Sequence, residues 1–316
     1  MKQINNKKAA VIGCGFVGSA SAFALMQSGL YNELVLIDVL KSKAEGEALD
    51  ISHGIPFAKP LNIYAGDYPD LADASIIILA AGANQKPGET RLDLLKKNAG
   101  IFKSIVGEII KYNTEAILLI VSNPVDILTY AAAKYSGFPE NRVFGTGTVL
   151  DTARLKQILG LRLSVDPKAV HAFIIGEHGD SEIVAWSSAN ISGVPLKNFC
   201  EMRGYNDTDE EKEEIAKNVR NVAYEIIEKK GATYYGIAMS VKRICEAIVR
   251  DEKAILPVST IQNGMYGITD VSISLPAIVG KDGAETKVPI QLSDCEAEAL
   301  RHSAETLKKA LNDSME

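Results

Sequence analysis

Four titratable side chains stand out by type and spacing. Asp151 and Arg154 lie three residues apart in "VLDTARLKQILG" (149–160), so on a helix they share one face. His178 sits in "GEHGD" (176–180), where the flanking glycines predict a turn that exposes its side chain. Arg91 closes the stretch "GANQKPGETR" (82–91). Histidine suits proton exchange because its ordinary pKa is close to neutrality. A buried carboxylate beside it would orient the ring and favour the imidazolium. One arginine can grip a carboxylate through two parallel hydrogen bonds. A second can polarise a ketone oxygen as charge gathers there. Each residue also has a plainer reading: Asp151 and Arg154 as a helix ion pair, His178 as a turn histidine with satisfied hydrogen bonds.

A second constellation stands near the start. Gly13, Gly15 and Gly18 fit the pattern G-x-G-x-x-G in "GCGFVG", directly after an apolar strand and at the opening of a helix. In that context Gly13 allows a tight turn, Gly15 lets backbone approach a pyrophosphate, and Gly18 permits close packing. The helix N-terminus then presents free N–H groups to phosphate. Asp38 ends the second strand, 20 residues beyond Gly18. Its carboxylate would accept hydrogen bonds from ribose hydroxyls and repel a 2′-phosphate, so NAD is expected rather than NADP. The alternative is that Asp38 only caps the next turn. A dinucleotide together with a histidine acid/base points to hydride transfer to or from a secondary alcohol. No metal is expected.

These residues need a frame to hold them. Strands at 8–13, 33–38, 61–66, 74–82, 115–124 and 141–147 alternate with helices at 16–29, 42–53, 92–112 and 125–135. That alternation predicts a doubly wound parallel sheet over residues 1–147, a Rossmann domain. Gly29 is the expected cap of the first helix. From 148 to 316 the pattern becomes α+β. A helix at 149–160 precedes a β-rich stretch over 169–186. Helices follow at roughly 208–230 and 232–250, strands near 254–260 and 268–279, and a last helix at 293–312. No linker separates the halves, so a close-packed boundary is expected near 147.

The 316 residues suffice for two domains, and 47% apolar with 23% charged residues is ordinary for a globular chain. The net charge of −6 gives no basic surface for nucleic acid. The acidic run 207–214 reads as the solvated start of a helix. Cys14, Cys200, Cys245 and Cys295 are far apart and form no C-x-x-C, which fits reduced thiols, buried or inert, in the cytoplasm. Residues 9–26 carry no charge and follow Lys7 and Lys8, as in a signal peptide or membrane span. The glycines at 13, 15 and 18 break that run, and no membrane association is expected.

With these motifs on the page, the sequence resembles the L-lactate/malate dehydrogenase family along almost its whole length. The resemblance is carried by "GCGFVG", "LID" (36–38), "AGANQKPGETRLDLLKKN" (81–98), "VSNPVDI" (121–127), "TVLDTARL" (148–155), "IIGEHGDSE" (174–182) and "GATYYGIA" (231–238). It implies that His178 is the proton donor and acceptor and Asp151 its partner. It implies that Arg154 holds the substrate carboxylate and that Arg91, on a mobile loop, polarises the carbonyl. Asn123 would contact substrate and the nicotinamide side, and Thr233 would line the substrate pocket. Phe16, Val17, Lys43, Tyr68, Gly82, Ala83, Ser104, Val121, Ser122 and Thr146 fall at the family's cofactor-contact positions. The short lead before the first strand is similar to bacterial members, and a homotetramer is implied.

Within the family, the loop position held here by Gln85 faces the variable end of the substrate. Malate-type members resemble "R-K-P-G" there, and lactate-type members "Q-K-P-G". A second carboxylate in a closed site without a cation costs several kcal/mol of desolvation, in order of magnitude. Gln85 offers only an amide, which tolerates a methyl group, so pyruvate and L-lactate are expected. Lys86 is expected to face solvent, and Pro87-Gly88 to act as a hinge. Malate dehydrogenase is the rival reading within the class, and a catalytically silent NAD-binding protein the rival outside it. Many bacterial members bind fructose 1,6-bisphosphate through an arginine and a histidine at a subunit interface. His171 matches the histidine, but Lys156 stands at the arginine position and lacks the bidentate fork. Activation by the sugar bisphosphate is therefore expected to be weak or absent.

Overall fold

The computed structural model describes residues 3–83 and 91–315. The first half runs β1 (Asn5–Ile12), α1 (Phe16–Ser28), β2 (Glu33–Ile37), α2 (Lys41–Ser52), β3 (Asn62–Ala65), β4 (Ala74–Leu79), α3 (Arg91–Tyr112), β5 (Ile117–Ile120), α4 (Val125–Ser136) and β6 (Val143–Gly145). The second half opens with α5 (Val149–Arg162) and five two-residue strands. These are β7 (Val170–His171), β8 (Ile174–Ile175), β9 (Ile183–Val184), β10 (Asn190–Ile191) and β11 (Val194–Pro195). Then come α6 (Leu196–Arg203), α7 (Asp209–Lys230), α8 (Tyr235–Val249), β12 (Ala254–Asn263), β13 (Thr269–Gly280), β14 (Gly283–Lys287) and α9 (Asp294–Met315).

The six strands of the first half are parallel, in the order β3-β2-β1-β4-β5-β6. Strand order reverses between β1 and β4, and in such sheets ligands bind outside the carboxyl ends at that point. Side chains alternate across the sheet with the period of two that strands impose. Val11, Leu36, Ile78 and Leu119 face Leu25 and Met26 of α1 and Ile244 of α8. Ile12, Ile37, Leu79 and Ile120 face Phe102 and Val106 of α3 and Leu128 of α4. The central strands are buried on both faces, which is why "ASIIILAAG" is apolar nearly throughout. Burial of a side chain such as the fully enclosed Phe102 stabilises by about 2 kcal/mol.

The sheet does not stop at the expected boundary. β12 joins β6 antiparallel at Ser259 and Gly145, and β13 and β14 extend it to nine strands. Two further clusters fill the second half, one among α5, α6, α7 and β7 to β10, the other between β13 and α9. The uncharged run 9–26 divides into β1 and α1, and no helix among the described residues is long and apolar enough to cross a membrane. Gly29 caps α1 in the left-handed region, at φ 61°. The acidic run starts α7, where Thr208 and Glu211 form a reciprocal capping box.

Three elements were not legible in the sequence. The short α6 is one, the β10–β11 hairpin turning at Ser192 and Gly193 is another, and β14 is the third. Cys14, Cys200 and Cys245 are buried, whereas Cys295 is exposed.

Candidate active site

The three glycines after β1 do three different things. Gly13 adopts φ +99°, and a Cβ there would stand 2.5 Å from the Ala81 backbone nitrogen. A Cβ on Gly18 would meet the Gly13 carbonyl oxygen at 1.8 Å, so the first turn of α1 lies directly on the loop. Gly15 is the N-cap of α1, and a Cβ there would meet nothing within 4 Å. That end of α1 has no side-chain cap and no acidic residue in its first turn. The result is an open cradle of uncapped N–H groups, which fits a pyrophosphate. Asp38 holds the neighbouring edge. One carboxylate oxygen accepts the Cys14 N–H at 2.7 Å and the other the Leu40 N–H at 2.9 Å. Asp38 thus caps its turn and braces the glycine loop together, while its remaining lone pairs stay open to hydroxyl donors. Burial, and then the Asp38 charge, push the Cys14 thiol up to about 12, so it stays protonated.

The predicted cofactor positions cluster at the carboxyl ends of the parallel strands. Gly82 and Ala83 follow β4, Val121 and Ser122 follow β5, and buried Thr146 follows β6. The Ala83 N–H donates to Oδ1 of buried Asn98 at 2.8 Å, and the Asn98 amide donates to the Asn123 carbonyl at 3.4 Å. The Ser122 hydroxyl donates to the Ala81 carbonyl. Half-buried Val17 packs on the core beneath the loop. Phe16 is exposed and stacks on Tyr234, centroids 5.4 Å apart, which brings the segment of half-buried Thr233 beside the glycine loop. Lys43 and Ser104 lie on exposed faces of α2 and α3, and Tyr68 is half-buried beyond β3. Gln85, Lys86 and the Pro87-Gly88 pair lie outside the described residues, as does the side chain of Arg91, whose backbone starts α3.

Three of the four residues predicted to do chemistry meet. His178 Nδ1 stands 2.6 Å from one Asp151 oxygen, and Arg154 donates to the other at 2.8 Å. Asp151 is nearly enclosed, its side chain 2% exposed, and His178 is partly buried at 26% rather than standing free on an exposed turn. Burial works against the imidazolium, but Asp151, with Asp126 and Glu182 adding to it, raises His178 to about 9. Burial also opposes the charge on Asp151, yet His178 and Arg154 more than offset it and lower its pKa. The pair therefore rests as an aspartate–imidazolium ion pair at neutral pH.

Three residues of this network went unnoticed in the sequence. Asp126, in the first turn of α4, accepts the His178 backbone N–H at 2.8 Å and the Ser259 hydroxyl. Burial raises Asp126 to about 6. Its signal was a lone charge in the apolar run "VDILTYAAA". Glu182, just before β9, is buried and raised to about 8, by burial first and then by Asp151. Asn98, the third, ties the β4 loop to Asn123 from the buried face of α3. The predicted regulatory residues lie on α5 and β7. Half-buried Lys156 is on α5, where burial lowers its pKa, and exposed His171 is on β7, against which α5 packs.

Comparison with known proteins agrees with this layout. Residues 7–145 match the lactate/malate dehydrogenase NAD binding domain, and residues 148–316 match the lactate/malate dehydrogenase alpha/beta C-terminal domain. The chain is 52% identical to an L-lactate dehydrogenase of Acetivibrio thermocellus over 305 residues, covering 96% of each. It is 52% identical to an L-lactate dehydrogenase of Clostridium botulinum over 314 residues, covering 99% of each. Among solved structures it resembles a lactate dehydrogenase from a Medee basin deep-sea metagenome library, with TM-score 0.96, 46% identity, and 99% and 100% coverage. It also resembles the minor L-lactate dehydrogenase of Enterococcus mundtii, with TM-score 0.94, 44% identity, and 97% and 98% coverage.

Proposed function

Since this chain belongs to the lactate/malate dehydrogenase family, we propose that it is an NAD-dependent L-lactate dehydrogenase, interconverting pyruvate and L-lactate. The observation that carries the reading is the Arg154–Asp151–His178 arrangement at 2.8 and 2.6 Å beside an open dinucleotide cradle. Bound NADH supplies the hydride. Protonated His178 donates its proton to the carbonyl oxygen of pyruvate, and recovers one from the lactate hydroxyl in reverse. Asp151 keeps Nδ1 protonated and the ring aimed, which leaves Nε2 for the substrate. Arg154 pairs with the substrate carboxylate while it braces Asp151. Arg91 polarises the carbonyl, Asn123 contacts substrate and the nicotinamide side, and Thr233 lines the pocket. Gln85 leaves the variable end of the pocket without a cation, which favours a methyl group over a second carboxylate.

The division into residues 1–147, which bind NAD, and 148–316, which bind substrate, belongs to the same reading, as does a homotetramer. A cytoplasmic location accords with the free thiols. With Lys156 at the arginine position, fructose 1,6-bisphosphate is expected to leave the pyruvate saturation curve nearly unchanged. The deciding experiment compares kcat/KM for pyruvate and oxaloacetate by NADH oxidation. Strong preference for pyruvate supports the reading. Preference for oxaloacetate would make the enzyme a malate dehydrogenase, and NADH binding without turnover of either would make it a silent binder.

A further inference from the structure

Behind the His178–Asp151 pair lies a second carboxyl group with no task in the reaction as described. Glu182 is 6% exposed, and its Oε1 has no hydrogen-bond partner among the described residues. One carboxylate oxygen each of Glu182 and Asp151 and one ring nitrogen of His178 all lie within 4.8 Å of one another. The two carboxyls share a site but not its donors. Asp151 receives His178 on one oxygen and Arg154 on the other, whereas Oε1 of Glu182 receives nothing. Two carboxylates this close in a buried site do not both ionise readily, and the one with the donors keeps the charge. A metal ion between Asp151 and His178 is excluded by their 2.6 Å contact, because two ligand atoms on one zinc stand about 3 Å or more apart.

We propose that Glu182 is a positioning residue that works as a neutral carboxylic acid behind the His178–Asp151 pair, and that loss of its proton weakens binding of the substrate anion. This rests on the dehydrogenase reading above. The groups facing Glu182 are Asp151 and Arg154 from α5, His178 from its own turn and Arg220 from α7, and Asp126 acts on His178 from α4. With Glu182 neutral, Arg154, Arg220 and the imidazolium outweigh Asp151 and Asp126 by one positive charge, which suits an incoming carboxylate. With Glu182 ionised that excess vanishes. Burial and Asp151 together hold its proton to about pH 8, so the change falls just below the loss of the proton from His178. The anion therefore binds best to a form carrying two dissociable protons, and its binding above pH 8 draws both back. The two sites are coupled, so the protons belong to the cluster rather than to either residue.

The test counts protons. Oxamate, an unreactive analogue of pyruvate, is titrated into the enzyme–NADH complex near pH 9 in weakly buffered solution with a pH indicator, for the wild type and Glu182→Gln. The wild type is expected to take up more than about one proton per site, and E182Q no more than about one. The alkaline limb of kcat/KM for pyruvate should likewise need two ionisations in the wild type and one in E182Q. A merely structural role would alter stability or rate and leave the proton count unchanged. If E182Q does not fold, the wild-type count decides alone, and uptake of one proton or fewer overturns the proposal. Failure of the underlying reading looks different, because NADH oxidation would then favour oxaloacetate over pyruvate or fail with both.

Discussion

Replacing Asp151 by asparagine isolates what the carboxylate does for His178. The side chain keeps its shape and an oxygen for Arg154, but it turns an amide N–H₂ toward Nδ1, which must then accept rather than donate. In the wild type His178 is raised from 6.5 to about 9, a preference for the imidazolium of about 3 kcal/mol. At pH 7 about 99% of the rings carry the proton that pyruvate reduction consumes. Without the Asp151 charge, burial dominates and only Asp126 and Glu182 oppose it. The ring then titrates at or below its ordinary value, and at most about a quarter is protonated at pH 7. That alone costs about fourfold, and loss of ring orientation brings the expected fall in kcat/KM to about 10²–10³. The assay follows NADH absorbance with pyruvate from pH 5.5 to 10. The alkaline limb, which in the wild type lies between about pH 8 and 9, should move to about 6.5 or lower, and the melting temperature should fall with the loss of the buried ion pair. A limb that stays between about pH 8 and 9 in D151N would refute the assignment of Asp151 as the source of the imidazolium.

Arg154→Lys keeps the charge but loses the fork that serves Asp151 and substrate together, so pyruvate KM should rise by about 10²-fold or more, read from saturation curves. Gly15→Ala and Gly18→Ala should separate binding from folding. The first has open space, so it should leave the melting curve alone and weaken NADH binding by about tenfold, read by fluorescence titration. The second drives a Cβ onto the Gly13 carbonyl and should destabilise the fold by about 3 kcal/mol or more, read by denaturant unfolding. Asp126 is raised from 3.8 to about 6, so the native state holds a proton there that the unfolded chain has released. Its contribution to stability therefore falls as pH rises through that window, by about 3 kcal/mol in all. Asp126→Asn should remove this slope, so denaturant unfolding at pH 4 and pH 7 should show the variant gaining on the wild type at the higher pH.

How much of this was legible in the chain depends on the range of the forces involved. The parallel half was readable because strand period, helix caps and the G-x-G-x-x-G turn are written in neighbouring residues. Gly13, Gly18 and Gly29 meet the backbone demands their spacing announced. Asp151 and Arg154 were readable for the same reason, since three residues along a helix already set their contact. Two-residue strands such as β10 and β11 left no period to read, and β14 is a short charged stretch paired only through β13.

The sequence by itself determined which chemical groups were present and which local turns and helices would carry them. It could not say that His178 would lie 2.6 Å from Asp151, because 27 residues of chain separate them and only the packing of α5 beneath β8 closes that distance. Nor could it single out Asp126 and Glu182, whose carboxyls matter through burial and through neighbours from other elements. Charge in a folded protein is a property of surroundings: a carboxyl that rests ionised with two donors holds its proton when the donors go to another group. Only the tertiary structure decides which carboxyl that will be.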